Sequence, residues 1–311
     1  MPSASCVFGL DAGATQTRLC ARSLDGDPDL KVFGNAANVF RLGELQTAEI
    51  LSCLIKRALE KLPEVDLLAI HAGVAGASAP STQKALADHI RSLIDRRDSL
   101  RISISHDGVN AIEGALGGEA GLLFIAGTGS GVMARPQTNH TQIDHVGGWG
   151  YLIGDEGSGY SIGRRGMAAV GHAFDGGPTT TLTDLVRDHL SIHDRYSLLK
   201  SITSPDWKFQ HVAPLVLQAS SDADAIACAI VHNETALLAR QAEWLLKKHP
   251  NLNRRYTITG GLSNHDFYVA SICSAMRGIW PAAEYTPPKG SPLEGAVQIA
   301  IRQITGSDAP L

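Results

Sequence analysis

The hydrophobic pattern of the chain predicts strands and helices that alternate along most of its length. Short apolar or alternating stretches end in polar or glycine-rich turns, and leucine and isoleucine at three- and four-residue spacing then indicate amphipathic helices. Up to residue 117 the predicted order is strand, strand, strand, helix, strand, helix, strand, helix. The predicted strands are 7–10, 18–24, 30–34, 67–70 and 101–105. One helix is predicted at 51–62, a second begins after a cap at Ser81, and a third spans 108–116.

Glycine or aspartate follows three of these predicted strands. Asp11 comes after the first strand, Gly76 after the fourth and Asp107 after the fifth. In an open α/β sheet, ligands bind in the crevice outside the carboxyl ends of the strands. We therefore expect these three residues to converge on one edge of a sheet, although they are far apart in the sequence.

The second half of the chain begins with the layout of the first. A buried strand at 122–126, a loop at 127–131 and a strand at 132–135 mimic the strand, loop and strand of residues 7–24, which we interpret as a weak internal repeat. Further along, the pattern predicts mainly helices from 161 to 248, with a long one at 224–247, then a strand at 256–259, a helix at 265–277, a short strand at 283–285 and a last helix at 293–303.

Length and charge narrow the classes of protein. A chain of 311 residues is long for a single core, so two domains are the default expectation. A formal net charge of -4 without a basic stripe argues against nucleic acid as a partner. No apolar stretch approaches the ~20 residues of a membrane span, and we expect a soluble, cytoplasmic protein. The five cysteines are scattered, which favours thiols over disulfides or structural zinc.

The segment 121–159 holds three of the four glycine-dense clusters of the chain. The first cluster, GTGS at 127–130, follows a buried strand, and its missing side chains let backbone N–H groups approach phosphate oxygens closely. The other two, GGWG and GDEGSG, set one aromatic ring and two carboxylates among glycines. That combination suits a small polyhydroxylated ligand.

The order of these motifs resembles that of actin-like ATPases and sugar kinases. The DxGxTxT segment that begins at Asp11, the strand-ending Asp107, GTGS and Gly260-Gly261 stand in the order of the phosphate-1, catalytic, phosphate-2 and adenosine motifs of that superfamily. The segments AGTGSG, GGWG and GDEGS look specifically like the N-acetylglucosamine kinase branch of the BadF/BadG/BcrA/BcrD family. The cysteine-rich zinc motif of neighbouring sugar kinases is absent from the sequence.

The resemblance covers the whole chain and implies an α/β fold of two ribonuclease-H-like domains, of the actin and hexokinase type, with ATP and sugar in the cleft between them. The expected domains are 1–117 and 118–290, and the last helix, within 291–311, is expected to return to the first domain. The resemblance also implies ATP and Mg2+ as cofactors, with Asp11 holding the metal through water. The implied nucleotide contacts are Asp11, Gly13, Thr15, Thr17, Gly127, Thr128, Gly129, Ser130, Gly260 and Gly261.

Each of these motifs also has a structural interpretation. Asp11 could form an Asx turn, and the glycine pairs could be ordinary tight turns. Asp107, which we interpret as the general base for a sugar hydroxyl, could cap a helix starting at Gly108, and the two roles are compatible. Glu156 could likewise cap the helix after Gly157.

The resemblance further implies a sugar site. Asn38 and Asp155 would hydrogen-bond to sugar hydroxyls, and Trp149 would be a ring in a loop, although a lone tryptophan is more often part of a core. We expect Trp207, Trp244 and Trp280 to be packing residues and assign no metal site to His189 and His193, which lie four apart on a predicted helix. The implied substrate contacts are Asn38, Gly76, Asp107, Gly148, Trp149, Gly150 and Asp155.

The leading functional hypothesis is an ATP- and Mg2+-dependent kinase that phosphorylates the 6-hydroxyl of N-acetylglucosamine. Glucosamine is the nearest alternative substrate. An ATPase activator of radical dehydratases would carry an iron-sulfur cluster on closely placed cysteines, which the scattered cysteines disfavour. A sugar sensor without turnover is disfavoured because Asp11 and Asp107 are both present. The sequence leaves a homodimer open.

Overall fold

The computed structural model of the protein describes residues 5–13, 15–26, 28–94, 99–137 and 143–306. It has an α/β fold in which each of two compact units is built on one mixed, five-stranded sheet, as predicted. The first unit comprises the described residues up to Glu119 and those from Pro288 onward, and the second comprises the described residues between Ala120 and Pro287.

The regular elements of the described ranges are numbered here in chain order. The strands are β1 Ser5–Ala12, β2 Thr17–Ser23, β3 Leu30–Gly34, β4 Asp66–Val74, β5 Arg101–His106, β6 Gly121–Ala126, β7 Ser130–Arg135, β8 Asp144–Gly147, β9 Arg255–Thr259 and β10 Glu284–Tyr285. The α-helices are α1 Val39–Lys61, α2 Pro80–Ile94, α3 Asp107–Leu116, α4 Gly159–Phe174, α5 Leu182–Leu190, α6 Arg195–Ile202, α7 Ala213–Ser221, α8 Ala225–Lys248, α9 Asp266–Ile279 and α10 Pro292–Thr305.

The two sheets have the same topology. The first has the order β3-β2-β1-β4-β5 and the second the order β10-β9-β6-β7-β8, which is the same order read from the other edge. In each sheet an antiparallel three-stranded meander is extended by two strands that add in parallel next to its first strand. The predicted internal repeat is therefore confirmed. The sequence pattern misses β8, whose four residues include one apolar side chain, Val146.

The sheet of the first unit is covered on both faces. Side chains from β1, β4, α1 and α2 form its larger core, which includes Leu51, Ile55 and Leu86. A smaller cluster packs α10 against the other face of the sheet. Helix α10 approaches so closely that a side-chain carbon on Gly9 would collide with the backbone of Val297. The end of the chain is thus an integral layer of the first unit.

The core of the second unit lies between its sheet and the helices that follow in the sequence. Phe124, Val132 and Ile258 from three strands pack with side chains from α4, α7, α8 and α9, including Leu238 of α8. Among the described residues, no single helix is long and apolar enough to span a membrane, and the segments 209–221 and 225–248 pass that test only as a pair bent by 116°.

The structure corrects several details of the sequence interpretation. Helix α2 begins at Pro80, which is favoured in the first turn, so Ser81 lies inside the helix and does not cap it. Helix α1 starts twelve residues before the predicted position. Gly43 (φ +75°) interrupts the regular helical spacing near its start, so the sequence pattern did not reveal the first turns. His193 lies beyond the end of α5, so His189 and His193 do not share a helix. Trp207 and Trp280 pack against the second core, whereas Trp244 is 54% exposed and is not a packing residue.

Candidate functional site

The carboxylate of Asp11 lies at the end of β1 and is paired with Arg18. These two residues are opposite each other in the β1–β2 hairpin, and Arg18 Nη2 lies 2.5 Å from Asp11 Oδ2. Asp11 is only 7% exposed. Burial raises the pKa of this carboxyl, Arg18 opposes that effect, and the charge of Asp107 raises the pKa further. Asp11 is level with Gly73 of β4, and Gly73 with Ser105 of β5, so Asp107 follows at the same sheet edge, as the strand ends predict.

The residues of the turn between β1 and β2 differ in how accessible they are to a ligand. Gly13 donates its N–H to Gln16 O at 3.1 Å, and Gly13 O accepts from the N–H of Ala37 at 3.1 Å. Thr15 is exposed, whereas Thr17 is fully buried and its hydroxyl has no hydrogen-bond partner among the described residues. Thr15 is thus the threonine of this motif that a ligand can reach directly.

Asp107 is the first residue of α3, directly after β5. The helix cap is His106, whose Nδ1 accepts from the N–H of Gly108 at 3.1 Å, so the interpretation of Asp107 as the cap is wrong by one residue. Asp107 Oδ1 also accepts from that N–H at 3.1 Å. His106 Nε2 lies 3.1 Å from the same oxygen, Asp107 Oδ1. The Asp107 side chain remains 34% exposed and therefore accessible to a substrate.

Asn38 and Gly76 lie side by side in the first unit. Asn38 caps α1 through its amide oxygen, which accepts from the N–H of Phe40 at 2.9 Å, and it forms a β-bridge with Ala75. This leaves the amide nitrogen as the group that can donate to a ligand. The ring of Phe40 lies over Gly76 (φ +85°) and is 84% exposed. Phe40 was not singled out from the sequence, because an exposed aromatic side chain at the start of a helix leaves no periodic signal.

In the second unit, Asp155 holds the GTGS loop. A side-chain carbon on Gly129 would sit 2.8 Å from Asp155 Oδ2, and Asp155 Oδ1 accepts from the N–H of Ser130 at 3.4 Å. Asp155 has a left-handed backbone (φ +63°), which is uncommon outside glycine and typical of functional sites. Burial raises the pKa of its carboxyl, and the N–H groups of Ser130 and Gly150 partly oppose that effect.

The loop is also tied to the start of α4 and to the turn after β9. Ser130 Oγ donates to Glu156 O at 2.7 Å, and Gly127 O accepts from the N–H of Gly159 at 2.8 Å. Gly260 (φ +105°) packs so closely on Ala126 O that a side chain there would collide with it. The second unit therefore brings together the three glycine-rich segments that the sequence assigned to phosphate, sugar and adenosine.

Helix α8 supports these loops from beneath. Its fully buried Glu234 accepts from the N–H of Gly157 at 2.9 Å and pairs with Arg165. Gln241, two turns further along, donates to Glu156 Oε2 at 2.9 Å. Glu156 therefore does not cap α4. Ser158 does, since its Oγ accepts from the N–H of Ser161 at 3.1 Å.

The GGWG segment forms an open, solvent-facing loop. Gly148 (φ +69°) and Gly150 (φ +83°) both have left-handed backbone, which glycine adopts without strain. Trp149 between them is 74% exposed, so it is not a core residue. An exposed aromatic face held by a tight turn is suited to stacking on a ligand.

The residues at the strand ends of the first unit fit a magnesium ion. Mg2+ prefers carboxylate oxygens and usually keeps several waters. Asp11 supplies one such carboxylate, and Asp107 lies at the same sheet edge. No group of three or more His, Cys, Asp or Glu side chains among the described residues could hold a metal alone. The remaining ligands would thus be water or phosphate oxygens.

Comparison with known proteins gives consistent matches. The sequence profile of the BadF/BadG/BcrA/BcrD ATPase family matches residues 8–300. The N-acetylmuramic acid/N-acetylglucosamine kinase of Clostridium acetobutylicum is 27% identical over 303 residues, 94% of this chain and 97% of the relative. Glucosamine kinase GspK of Vibrio cholerae is 27% identical over 296 residues, 94% of each chain. A crystal structure of a candidate N-acetylglucosamine kinase from Chromobacterium violaceum, 25% identical, has a TM-score of 0.73 and covers 96% of this chain and 100% of that chain.

Proposed function

Because the chain belongs to the BadF/BadG/BcrA/BcrD ATPase family, we propose that it is an ATP-dependent amino-sugar kinase that phosphorylates the 6-hydroxyl of N-acetylglucosamine. The observation that carries this proposal is the position of an accessible carboxylate, Asp107, at the same sheet edge as the buried Asp11, which pairs with Arg18. A base for the sugar hydroxyl thus lies near groups of the type that bind phosphate and metal.

Asp107 is the proposed general base. It accepts the proton of the 6-hydroxyl as that oxygen attacks the γ-phosphorus, with positioning and electrostatics supplying most of the acceleration. The N–H of Gly108 donates to Asp107 Oδ1 and holds the carboxylate at the helix start. His106 Nε2 lies 3.1 Å from the same oxygen.

Separate residues are proposed for the nucleotide. Asp11 would hold Mg2+ through water, and Mg2+ supplies positive charge to the phosphates when bound. Arg18, whose side chain is 42% exposed, adds a fixed cation beside it. The GTGS loop would donate backbone N–H groups to phosphate, and the turn at Gly260-Gly261 would pass close to the adenine ring. The proposed remaining contacts are Gly13, Thr15 and Thr17, with Thr17 acting through its backbone.

The sugar contacts are proposed from the polar and aromatic groups described above. In the first unit, the amide nitrogen of Asn38 and the bare backbone of Gly76 are adjacent. In the second unit, Trp149 provides an exposed ring between Gly148 and Gly150. Asp155 would accept hydrogen bonds from hydroxyls.

The names of the relatives differ in the group that their sugar carries at carbon 2, so the substrate panel has to compare that group. One of them is named for N-acetylmuramic acid and N-acetylglucosamine, and another for glucosamine. The test is ADP release from ATP and Mg2+ with N-acetylglucosamine, N-acetylmuramic acid, glucosamine and glucose, followed by mass spectrometry of the products. We expect the highest kcat/KM for N-acetylglucosamine and no product from its 6-deoxy derivative. Equal kcat/KM for glucose, or phosphorylation of the 6-deoxy sugar, would contradict the proposal.

A further inference from the structure

Asn110 lies at the centre of a buried chain of hydrogen bonds in the first unit. Its side chain is fully buried, one helical turn after Asp107 on α3. Its Nδ2 donates to Leu10 O at 2.9 Å, and Leu10 is the residue before Asp11 on β1. One amide therefore connects the helix that begins with Asp107 to the strand that ends with Asp11.

The direction of each hydrogen bond in this chain is determined. The carbonyl of Leu10 can only accept, so Nδ2 of Asn110 faces it and Oδ1 faces His71. Oδ1 can only accept, so His71 Nε2, at 3.1 Å, carries the ring proton. Ser105 Oγ, which donates to His106 O, accepts the same proton at 3.2 Å. His71 Nδ1 is then an acceptor for the hydroxyl of Ser103, at 2.6 Å.

The chain ends on the C-terminal helix. Ser103 Oγ has one proton, which it donates to His71, and it accepts from Nε2 of Gln303 on α10. Burial lowers the pKa of His71 to about 4, so the ring is neutral near pH 7, as this pattern of donors and acceptors requires. Four elements of the first unit, α10, β5, β4 and α3, are thereby connected to β1.

Packing holds the Asn110 amide in one place. Gly73 of β4 lies directly against it, and a side-chain carbon on Gly73 would collide with the amide. Asn110 also lies beside Asp11 in this hydrogen-bond chain, because the carbonyl that its Nδ2 holds, that of Leu10, is bonded directly to the backbone nitrogen of Asp11. An amide with no rotational freedom, next to a buried carboxylate, is arranged to position that carboxylate.

We propose that Asn110 is a positioning residue that fixes the Asp11 carboxylate relative to Asp107, and that the chain through His71 and Ser103 to Gln303 sets the orientation of its amide. This inference rests on the proposed role of Asp11 in binding Mg2+ and nucleotide. Asn110 is fully buried and is proposed to act through Asp11.

The first test compares Asn110→Ala with Thr235→Ala. Thr235 is a matched control, since it is also fully buried and hydrogen-bonded, to Val231 O at 2.8 Å, but lies in the second unit on α8. We expect Asn110→Ala to weaken Mg2+-dependent ADP binding, measured by calorimetry, at least about tenfold. Thr235→Ala should lower the melting temperature comparably and leave ADP binding within about twofold of wild type. Equal binding losses in the two variants would overturn the proposal.

A double-mutant cycle with Asp11→Asn shows whether Asn110 acts through Asp11. If it does, Asn110→Ala should change ADP affinity by less than about twofold in the Asp11→Asn background. Fully additive losses would mean that Asn110 acts independently, which contradicts the inference. If Asn110→Ala does not fold, Asn110→Asp keeps the shape and removes the N–H donors, and wild-type ADP binding by that variant would be equally contradictory.

The hydrogen-bond chain has a signature independent of activity. In protein labelled with ¹⁵N-histidine, His71 should appear as the neutral Nε2–H tautomer with a slowly exchanging ring proton, and Asn110→Ala should remove that protection. An Nδ1–H tautomer in the wild type would overturn the assigned directions. In one outcome, none of the tested sugars is phosphorylated, while the double-mutant cycle still shows that Asn110 and Asp11 act together in Mg2+-dependent ADP binding. That combination would reject the proposed substrate and leave this inference standing.

Discussion

Asp155 occupies the space that a side chain on Gly129 would need. The nearest carboxylate oxygen is 2.8 Å from the position of that missing carbon. The GTGS loop and the GDEG segment, 25 residues apart, therefore fit together only because position 129 is a glycine. The geometry of the loop depends on this contact at least as much as on the freedom of its own backbone.

Gly129→Ala should displace the loop and weaken nucleotide binding. We expect kcat/KM for ATP to fall at least about tenfold, with a loss of stability of about 1–2 kcal/mol from the collision with Asp155. Gly278→Ala on α9 is the matched control, because no atom lies within 4 Å of a side-chain carbon there. Nucleotide kinetics that are the same in the two variants would show that the Gly129 contact does not position the loop.

Asp107→Asn should separate catalysis from folding. Removal of a general base typically lowers kcat about 10²- to 10⁴-fold. Because His106 caps α3, the change should cost less than about 1 kcal/mol, mainly through loss of a charge at the helix start. The measurement is kcat beside the melting temperature, with the exposed Asp88→Asn on α2 as control. A kcat within threefold of wild type would mean that Asp107 is not the base.

Trp149→Ala should affect sugar binding and leave stability nearly unchanged. The ring is 74% exposed, so its removal leaves no cavity, but a stacking surface for the sugar is lost. We expect KM for N-acetylglucosamine to rise at least about tenfold and KM for ATP to stay within twofold. Trp244→Ala, at 54% exposure, is the matched control and should change neither constant. A similar KM for the sugar in both variants would remove Trp149 from the proposed site.

His71 should make the protein sensitive to acid. Its pKa is lowered to about 4 in the folded state, chiefly by burial and also by the charge of Arg302, while the Asn110 hydrogen bond and, less strongly, Glu113 oppose that shift. The unfolded chain binds the proton first, so the free energy of unfolding falls as pH decreases from about 6.5 towards 4, by up to about 3 kcal/mol. Urea unfolding of wild type and His71→Gln at several pH values tests this. Parallel pH profiles for the two proteins would show that His71 is not responsible.

The sequence predicted much of this fold because burial leaves a periodic signal. Alternating or continuous apolar runs marked nine of the ten described strands, and Asp11 and Asp107 were expected near each other because both follow strands of one sheet. The pairing of Asp11 with Arg18 could also have been found. The two residues are equally far from the middle of the turn, so the register of a hairpin places them opposite each other.

Other parts of the candidate site leave no such signal. Glu234 and Gln241 lie on α8, 77 and 85 residues after the loop residues they contact, and neither stands in a motif. The start of α1 was missed because Gly43 breaks the spacing on which helix prediction depends, and with it the cap at Asn38 beside Phe40. Side-chain contacts between distant segments follow from the tertiary structure and are not encoded in local spacing.

The repeated strand order means that the two units can be aligned position by position without any sequence similarity. Counted from the hairpin turn, the pair Asp11 and Arg18 in β1 and β2 corresponds to Ile125 and Gly131 in β6 and β7. One copy of the hairpin therefore carries a paired acid and base, whereas the other carries an aliphatic side chain and bare backbone. The same backbone route thus presents an ion pair at this hairpin position in the first unit and no ionisable side chain at that position in the second.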